Sequence, residues 1–194
     1  MLEKISSQLT SYMIEQGVIA REDAEIYVYG WKMLLFPVGS FLAILFVGTL
    51  FGQLWGTAVF LFFFTFLRSY AGGYHAETFS RCFLITMTIY FSCLLLRFCL
   101  PELYWDWTVL ALLVVSIVIT YMWAPVDHPN KPFRDQQRQK NKELSQVIVV
   151  AQTLIILGLR WWQPWLKQYT LWAALAMAAA SFTLLYVICH PYKK

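Results

Sequence analysis

The sequence predicts an all-α, polytopic integral membrane protein with about six transmembrane or re-entrant helices and an N-terminal amphipathic helix. Three observations carry this. Of its 194 residues, 59% are apolar and only 13% charged, against about 45–50% and about 25% in soluble domains. The mean hydropathy is +0.56. The apolar residues gather in runs without the polar–apolar alternation of barrel strands, which leaves helices as the form that satisfies every backbone group in lipid. This composition excludes a disordered chain, a collagen-like chain and a soluble enzyme of this size. A net charge of +4 gives no support to nucleic-acid binding.

The elements follow in order. The first 30 residues hold five acids (Glu3, Glu15, Glu22, Asp23 and Glu25) and no sustained apolar run, so no cleavable signal peptide is expected. Leu2, Ile5, Leu9, Tyr12 and Met13 recur at helical spacing. They predict an amphipathic helix lying in the plane of the membrane surface, with a cap packed on the loops as the alternative. Six apolar runs follow: 33–51, 54–67, 83–96, 107–123, 147–162 and 171–189. The second and third, at about 14 residues, reach only about 21 Å at 1.5 Å per residue. Crossing needs about 20 residues, so these two are expected to be re-entrant or to thin the bilayer. Gly52 falls in the only gap between the first two runs and predicts a turn; Gly48 and Gly56 leave turn or packing open. The small residues of Ala173–Ala180 predict close approach by another helix, in this chain or another. The whole chain, 1–194, reads as one membrane domain. Within it, 1–30 is a cytoplasmic amphipathic segment, 68–82 a candidate catalytic segment and 124–145 a basic cytoplasmic loop.

Charge sets the orientation. Of the 15 Lys and Arg residues, all but Arg97, Arg160 and Lys167 fall on the side shared by the two termini. The positive-inside rule then puts both termini, and the segment between the second and third runs, in the cytoplasm.

That segment, Arg68 to Cys82, is unlike its surroundings. It holds two arginines, a Gly-Gly pair, His75, Glu77 and Cys82 between two apolar runs. Ionisable groups near membrane depth are costly, and they point to function. A thiolate is a strong nucleophile at neutral pH, and an imidazole can generate it by taking the proton. Cys82 follows Arg81 and opens a span, and both a cation and a helix N-terminus favour a thiolate. Cys93, Cys99 and Cys189 have apolar neighbours and read as packing residues; no Cys-x-x-Cys spacing occurs. His128 and His190 lie in other loops, so neither a metal site nor a cofactor is expected. Seven residues along one continuous helix would hold His75 and Cys82 about 10.5 Å apart. A base must come within about 3 Å of its nucleophile. The segment 75–82 is therefore not one unbroken helix, or His75 serves the Cys82 of a second chain. The ordinary reading of these residues, a turn flanked by topology-setting arginines, stays open on spacing alone.

The pattern Arg68-x4-Gly73-x-His75-x6-Cys82, flanked by short apolar runs, resembles the accessory gene regulator protein B (AgrB) family of bacterial membrane cysteine endopeptidases. Ala124-Pro125 and Lys131-Pro132 before a basic stretch are similar to the family pattern as well. The length, span count and amphipathic N-terminus also agree. The resemblance implies that Cys82 is the nucleophile and His75 the general base, with Arg68 and Gly73 supporting the site. It implies a membrane-bound propeptide substrate with an amphipathic leader, a central signal sequence and an acidic tail. The tail would be removed through an acyl-thioester, and the signal would close into a thiolactone or lactone. A homodimer in the bacterial cell membrane is expected on the same grounds. The basic residues Lys131, Arg134, Arg138 and Lys140 offer docking for the acidic tail, against plain cytoplasmic retention. A small membrane transporter or exporter of peptides is the competing function.

Overall fold

The computed structural model describes residues 2–74, 78–126 and 135–189, and these form helices with no strands. The helices are α1 (Leu2–Glu15), α2 (Ala24–Leu50), α3 (Leu54–Ala71), α4 (Phe79–Cys99), α5 (Trp105–Trp123), α6 (Asp135–Trp162) and α7 (Lys167–Cys189). All but α1 are long and apolar enough to cross a membrane. The chain divides into two compact units, residues 1–47 and 48–194.

In the first unit, α1 buries Ser6 and Thr10, whose hydroxyls donate to the carbonyls of Leu2 and Ser6. Ile5 and Tyr12 of the expected apolar stripe stay exposed. Leu2, Leu9 and Met13 of the stripe are half-buried, so the stripe is covered in part. Lys32 donates to the Glu3 carboxylate at 2.7 Å. That hydrogen bond, and then the ammonium charge, hold the Glu3 carboxyl below its usual range.

The second unit is built around α7, which is buried along most of its length from Thr170 to Val187. The small side chains of Ala173–Ala180 let α3 and α5 pack against it from within the same chain. At one end the indole of Trp172 fills the space over Gly56, where a Cβ would lie 2.2 Å from its Nε1. Trp172 stacks on Tyr90 of α4 and meets Phe60 of α3 edge to face. Tyr90 and Thr57 join their hydroxyls at 2.6 Å. Gly48 is a packing glycine too, since a Cβ there would meet Thr57 Oγ1 at 2.1 Å. Gly52, with φ +66, makes the expected turn. Near the middle, Thr120 of α5 and Ser181 of α7 share a hydrogen bond of 3.4 Å. At the end where α5 and α7 begin and α6 stops, Arg160 donates to Asp106 at 2.7 Å and to Thr170 at 2.6 Å. One guanidinium thereby ties three helices.

Two expectations are corrected. The second and third spans are not short: α3 has 18 residues and α4 has 21, or about 27 and 31 Å of rise. Neither needs to be re-entrant. A count of apolar residues stops at the first charge, but a helix continues where the charge finds a partner. The Arg68 guanidinium lies over the Phe64 ring at 5.4 Å, and that of Arg97 over Trp105 at 4.3 Å. Similarly, the stretch expected as a basic loop over 124–145 is helical from Asp135 onward, because α6 runs without a break into its apolar part.

Replacing Gly56 by Ala drives a methyl into the Trp172 indole and is expected to cost about 1–3 kcal/mol, as overpacking does. Reversible unfolding in detergent micelles measures this; unchanged stability would mean that Trp172 can swing aside.

Candidate active site

The end of the second unit opposite Arg160 gathers the ends of α3, α5 and α7 and the start of α4. There α3 stops because the chain enters a backbone region suited to glycine: Gly72 has φ +79 and Gly73 φ +131. Space demands glycine at both positions as well. A Cβ on Gly72 would lie 2.3 Å from the Val126 carbonyl oxygen, and one on Gly73 would lie 2.4 Å from Thr183 Oγ1.

The short segment Gly72–Tyr74 is held from three sides. On the side of α5, Gly72 pairs with Val126 in a parallel bridge, and the Val126 amide donates to the Ala71 carbonyl at 3.1 Å. On the side of α7, the Tyr74 amide donates to the Thr183 carbonyl at 3.3 Å. The Tyr74 and Tyr186 rings meet edge to face at 5.0 Å. From α3, the Arg68 guanidinium donates to the Tyr74 carbonyl. Arg68 and Gly73 therefore both act on the three residues that lead directly into His75. His75 itself lies outside the described residues, as do Lys131 and Arg134.

Cys82 sits on the first turn of α4. Thr78 caps that helix in an extended conformation, with φ −123 and ψ 147. Its hydroxyl oxygen accepts from the Arg81 amide at 3.4 Å, and its carbonyl accepts from the Cys82 amide at 3.0 Å. Since Thr78 is extended, the stretch 75–82 is not one continuous helix, and the 10.5 Å separation along a single helix does not apply. The Cys82 and Arg81 amides are already engaged, so neither is left to stabilise an oxyanion. Cys82 is half-buried, and its first-turn position exposes the sulfur to the positive end of the α4 dipole. Cys93 is buried as expected; Cys99 and Cys189 are exposed, each as the last residue of its helix.

Arg138 and Lys140 are exposed on the first turns of α6. Arg138, Gln139 and Lys142 face a cavity of about 330 Å³, closed on its other side by Trp123, Ala124 and Pro125 at the end of α5. The Ala124–Pro125 bond is cis. The Ala-Pro pair noticed in the sequence thus lies between the basic start of α6 and Val126, the residue that pairs with Gly72.

Three residues that sequence reasoning did not assign to the site are Thr78, Val126 and Tyr186. A Thr before an apolar run is a readable cap signal. Tyr186 gives no signal, since a Tyr in a span end looks like any interfacial aromatic.

A bundle of six helices long and apolar enough to cross a membrane, with a glycine-bearing segment pinned to α3, α5 and α7 at one end, defines a class of polytopic membrane protein. A family match narrows the class. Residues 6–187 match the AgrB family, described as Accessory gene regulator B, and the chain belongs to that family. It is similar to "Putative AgrB-like protein 2" of Clostridium perfringens (strain 13 / Type A), with 26% identity over 161 residues covering 80% of this chain and 75% of the relative. A "Putative AgrB-like protein" of Clostridium perfringens (strain SM101 / Type A) is similar to the same extent. No solved structure matches. Membership ties this multi-pass membrane protein to accessory gene regulator, quorum-sensing peptide processing.

A Cβ at residue 72 meets a backbone oxygen that cannot rotate away. Gly72→Ala is expected to release the pairing with Val126 and to raise hydrogen exchange at the Val126 and Tyr74 amides at least tenfold, with the helices intact. Exchange measured in lipid nanodiscs checks this; unchanged protection at both amides would show that the three-sided hold does not depend on residue 72.

Proposed function

We propose that the protein is a membrane cysteine endopeptidase that cuts the C-terminal tail from a quorum-sensing propeptide and promotes closure of the signal sequence into a ring. One observation carries the reading. The segment that leads into His75 is pinned at the same end of the second unit at which Cys82 occupies the head of α4.

The chemistry follows from the residues. His75 takes the proton of the Cys82 thiol, and the thiolate attacks the carbonyl at the junction of signal and tail. The peptide C–N bond breaks, and the departing amine takes the proton back from the imidazolium. The tail leaves, and the leader and signal remain on Cys82 as a thioester. A cysteine within the signal then attacks that thioester. A thiolactone forms and the Cys82 thiol is restored; a serine in the same place would give a lactone. Arg68 and Gly73 support the step through the backbone they hold.

Charge places the site. Arg68, Arg81, Arg138, Lys140 and Lys142 lie toward the end of the second unit that holds Cys82, and Arg97, Arg160 and Lys167 toward the other. By the positive-inside rule this supports a cytoplasmic Cys82 end. The acidic tail of the substrate is read as docking on the basic start of α6, where Arg138 and Lys142 face the cavity beside Ala124–Pro125 and Lys131 and Arg134 precede it. A second copy of the chain is the expected partner in the bilayer, as the family resemblance implies.

With a candidate propeptide of leader, signal and acidic tail co-expressed, Cys82→Ser and His75→Ala are each expected to abolish tail removal while the protein still inserts. Mass spectrometry of the peptide reads the result, and tail removal at the wild-type rate by either variant would overturn the proposal. Charge reversal at Arg138 and Lys140 is expected to raise KM about tenfold or more and leave kcat nearly unchanged, because ion pairs at a docking surface act alike on ground and transition states. An unchanged KM would reduce the basic stretch to a topology signal.

A further inference from the structure

The hold on Gly72–Tyr74 from α7 has no counterpart in the chemistry just described, which uses only Cys82, His75, Arg68 and Gly73. Two contacts make it. The Tyr74 amide donates to the Thr183 carbonyl at 3.3 Å, and the Tyr74 ring meets the Tyr186 ring at 5.0 Å with the planes 82° apart. The favoured edge-to-face geometry fixes direction as well as distance. Gly73 lies between them, so close to Thr183 that no side chain fits.

Position in the sequence gives these contacts their meaning. Tyr74 is bonded directly to His75. Its amide is held by α7, its carbonyl by Arg68 of α3, and its ring by Tyr186. These holds fix the backbone at Tyr74, the last described residue before His75. The helix that provides two of the three holds is the most deeply buried in the chain, and it does not shift without moving α3 and α5. The helix with the nucleophile is different, since α4 buries only Tyr90, Cys93 and Leu94, all well along the helix from Cys82.

We propose that Tyr186 is a positioning residue: through Tyr74 it fixes the backbone that leads into His75, and α7 is the reference frame for that segment. The proposal rests on the endopeptidase reading, and it adds a role for the last span that the dyad alone does not supply. A misplaced base and a loosened fold act in opposite directions on the thiol. A thiol with no base to take its proton reacts slowly. In a loosened fold Cys82 becomes more exposed and reacts faster.

The test uses the full-length protein in phospholipid vesicles, with iodoacetamide as the probe and mass spectrometry of the Cys82-containing peptide at pH 7. His75→Ala is expected to slow alkylation about tenfold or more. Tyr186→Ala is expected to slow it several-fold, and Tyr186→Phe, which keeps the ring, to restore it. In the double variant Tyr74→Leu with Tyr186→Leu, the effects are expected to be less than additive, as for two residues acting through one contact. With the propeptide, Tyr186→Ala lowers kcat more than it raises KM. If His75→Ala slows alkylation but Tyr186→Ala leaves it unchanged or speeds it, or if Phe behaves as Ala, the positioning role is overturned and the endopeptidase reading survives. If His75→Ala itself leaves alkylation and cleavage unchanged, the endopeptidase reading fails instead.

Discussion

The site depends on a three-residue stretch of backbone, Gly72–Tyr74, wedged between the ends of three helices. Its conformation is one that only glycine enters readily, and its surroundings leave no volume for side chains at residues 72 and 73. Such a segment is ordered only if its polar groups have partners, because an unpaired amide or carbonyl near the membrane is costly. The Tyr74 amide finds Thr183, its carbonyl finds Arg68, and the neighbouring Ala71 carbonyl finds Val126. Each partner comes from a different element, so the segment records the relative placement of α3, α5 and α7.

That placement is a packing problem, and α7 solves it. In lipid, helices gain little from hydrophobic exclusion and rely on close contact. The alanine-rich face of α7 supplies it, with Trp172 over Gly56 and Thr120 against Ser181 as local keys. At the opposite end, Arg160 joins Asp106 and Thr170 and fixes the same helices. The core of the second unit is thereby rigid where the segment before His75 is anchored. The helix of Cys82 is attached more lightly, through Tyr90 and its neighbours. Under the proposed endopeptidase function, a firmly held segment before His75 and a more lightly packed helix bearing Cys82 suit a site that must admit a peptide.

Much of this was legible in the sequence, and the failures have physical reasons. The helical membrane fold follows from composition and unbroken apolar runs. The turn at Gly52 and the break in helix before Phe79 follow from glycine and from the distance a base can reach. The helices α3 and α4 are longer than their apolar runs because a charge does not by itself end a span. Arg68 and Arg97 instead lie over Phe64 and Trp105 and stay within their helices. The helical start of α6 was hidden by its polarity, which periodicity does not distinguish from a loop. Gly73 was visible as part of a motif, but the reason for it, Thr183 more than 100 residues away, depends on the tertiary fold. Tyr186 was invisible for the same reason.

A Cys82 that carries the cleaved peptide can be caught in that state. A propeptide whose ring-closing residue is replaced by alanine has no internal nucleophile to resolve a thioester. Incubated with the full-length protein, it is expected to leave the leader and signal attached to the Cys82-containing fragment. That adduct should be released by hydroxylamine and absent when Cys82 is alanine. Tail release without any adduct at Cys82, continuing undiminished in the alanine variant, would contradict the claim.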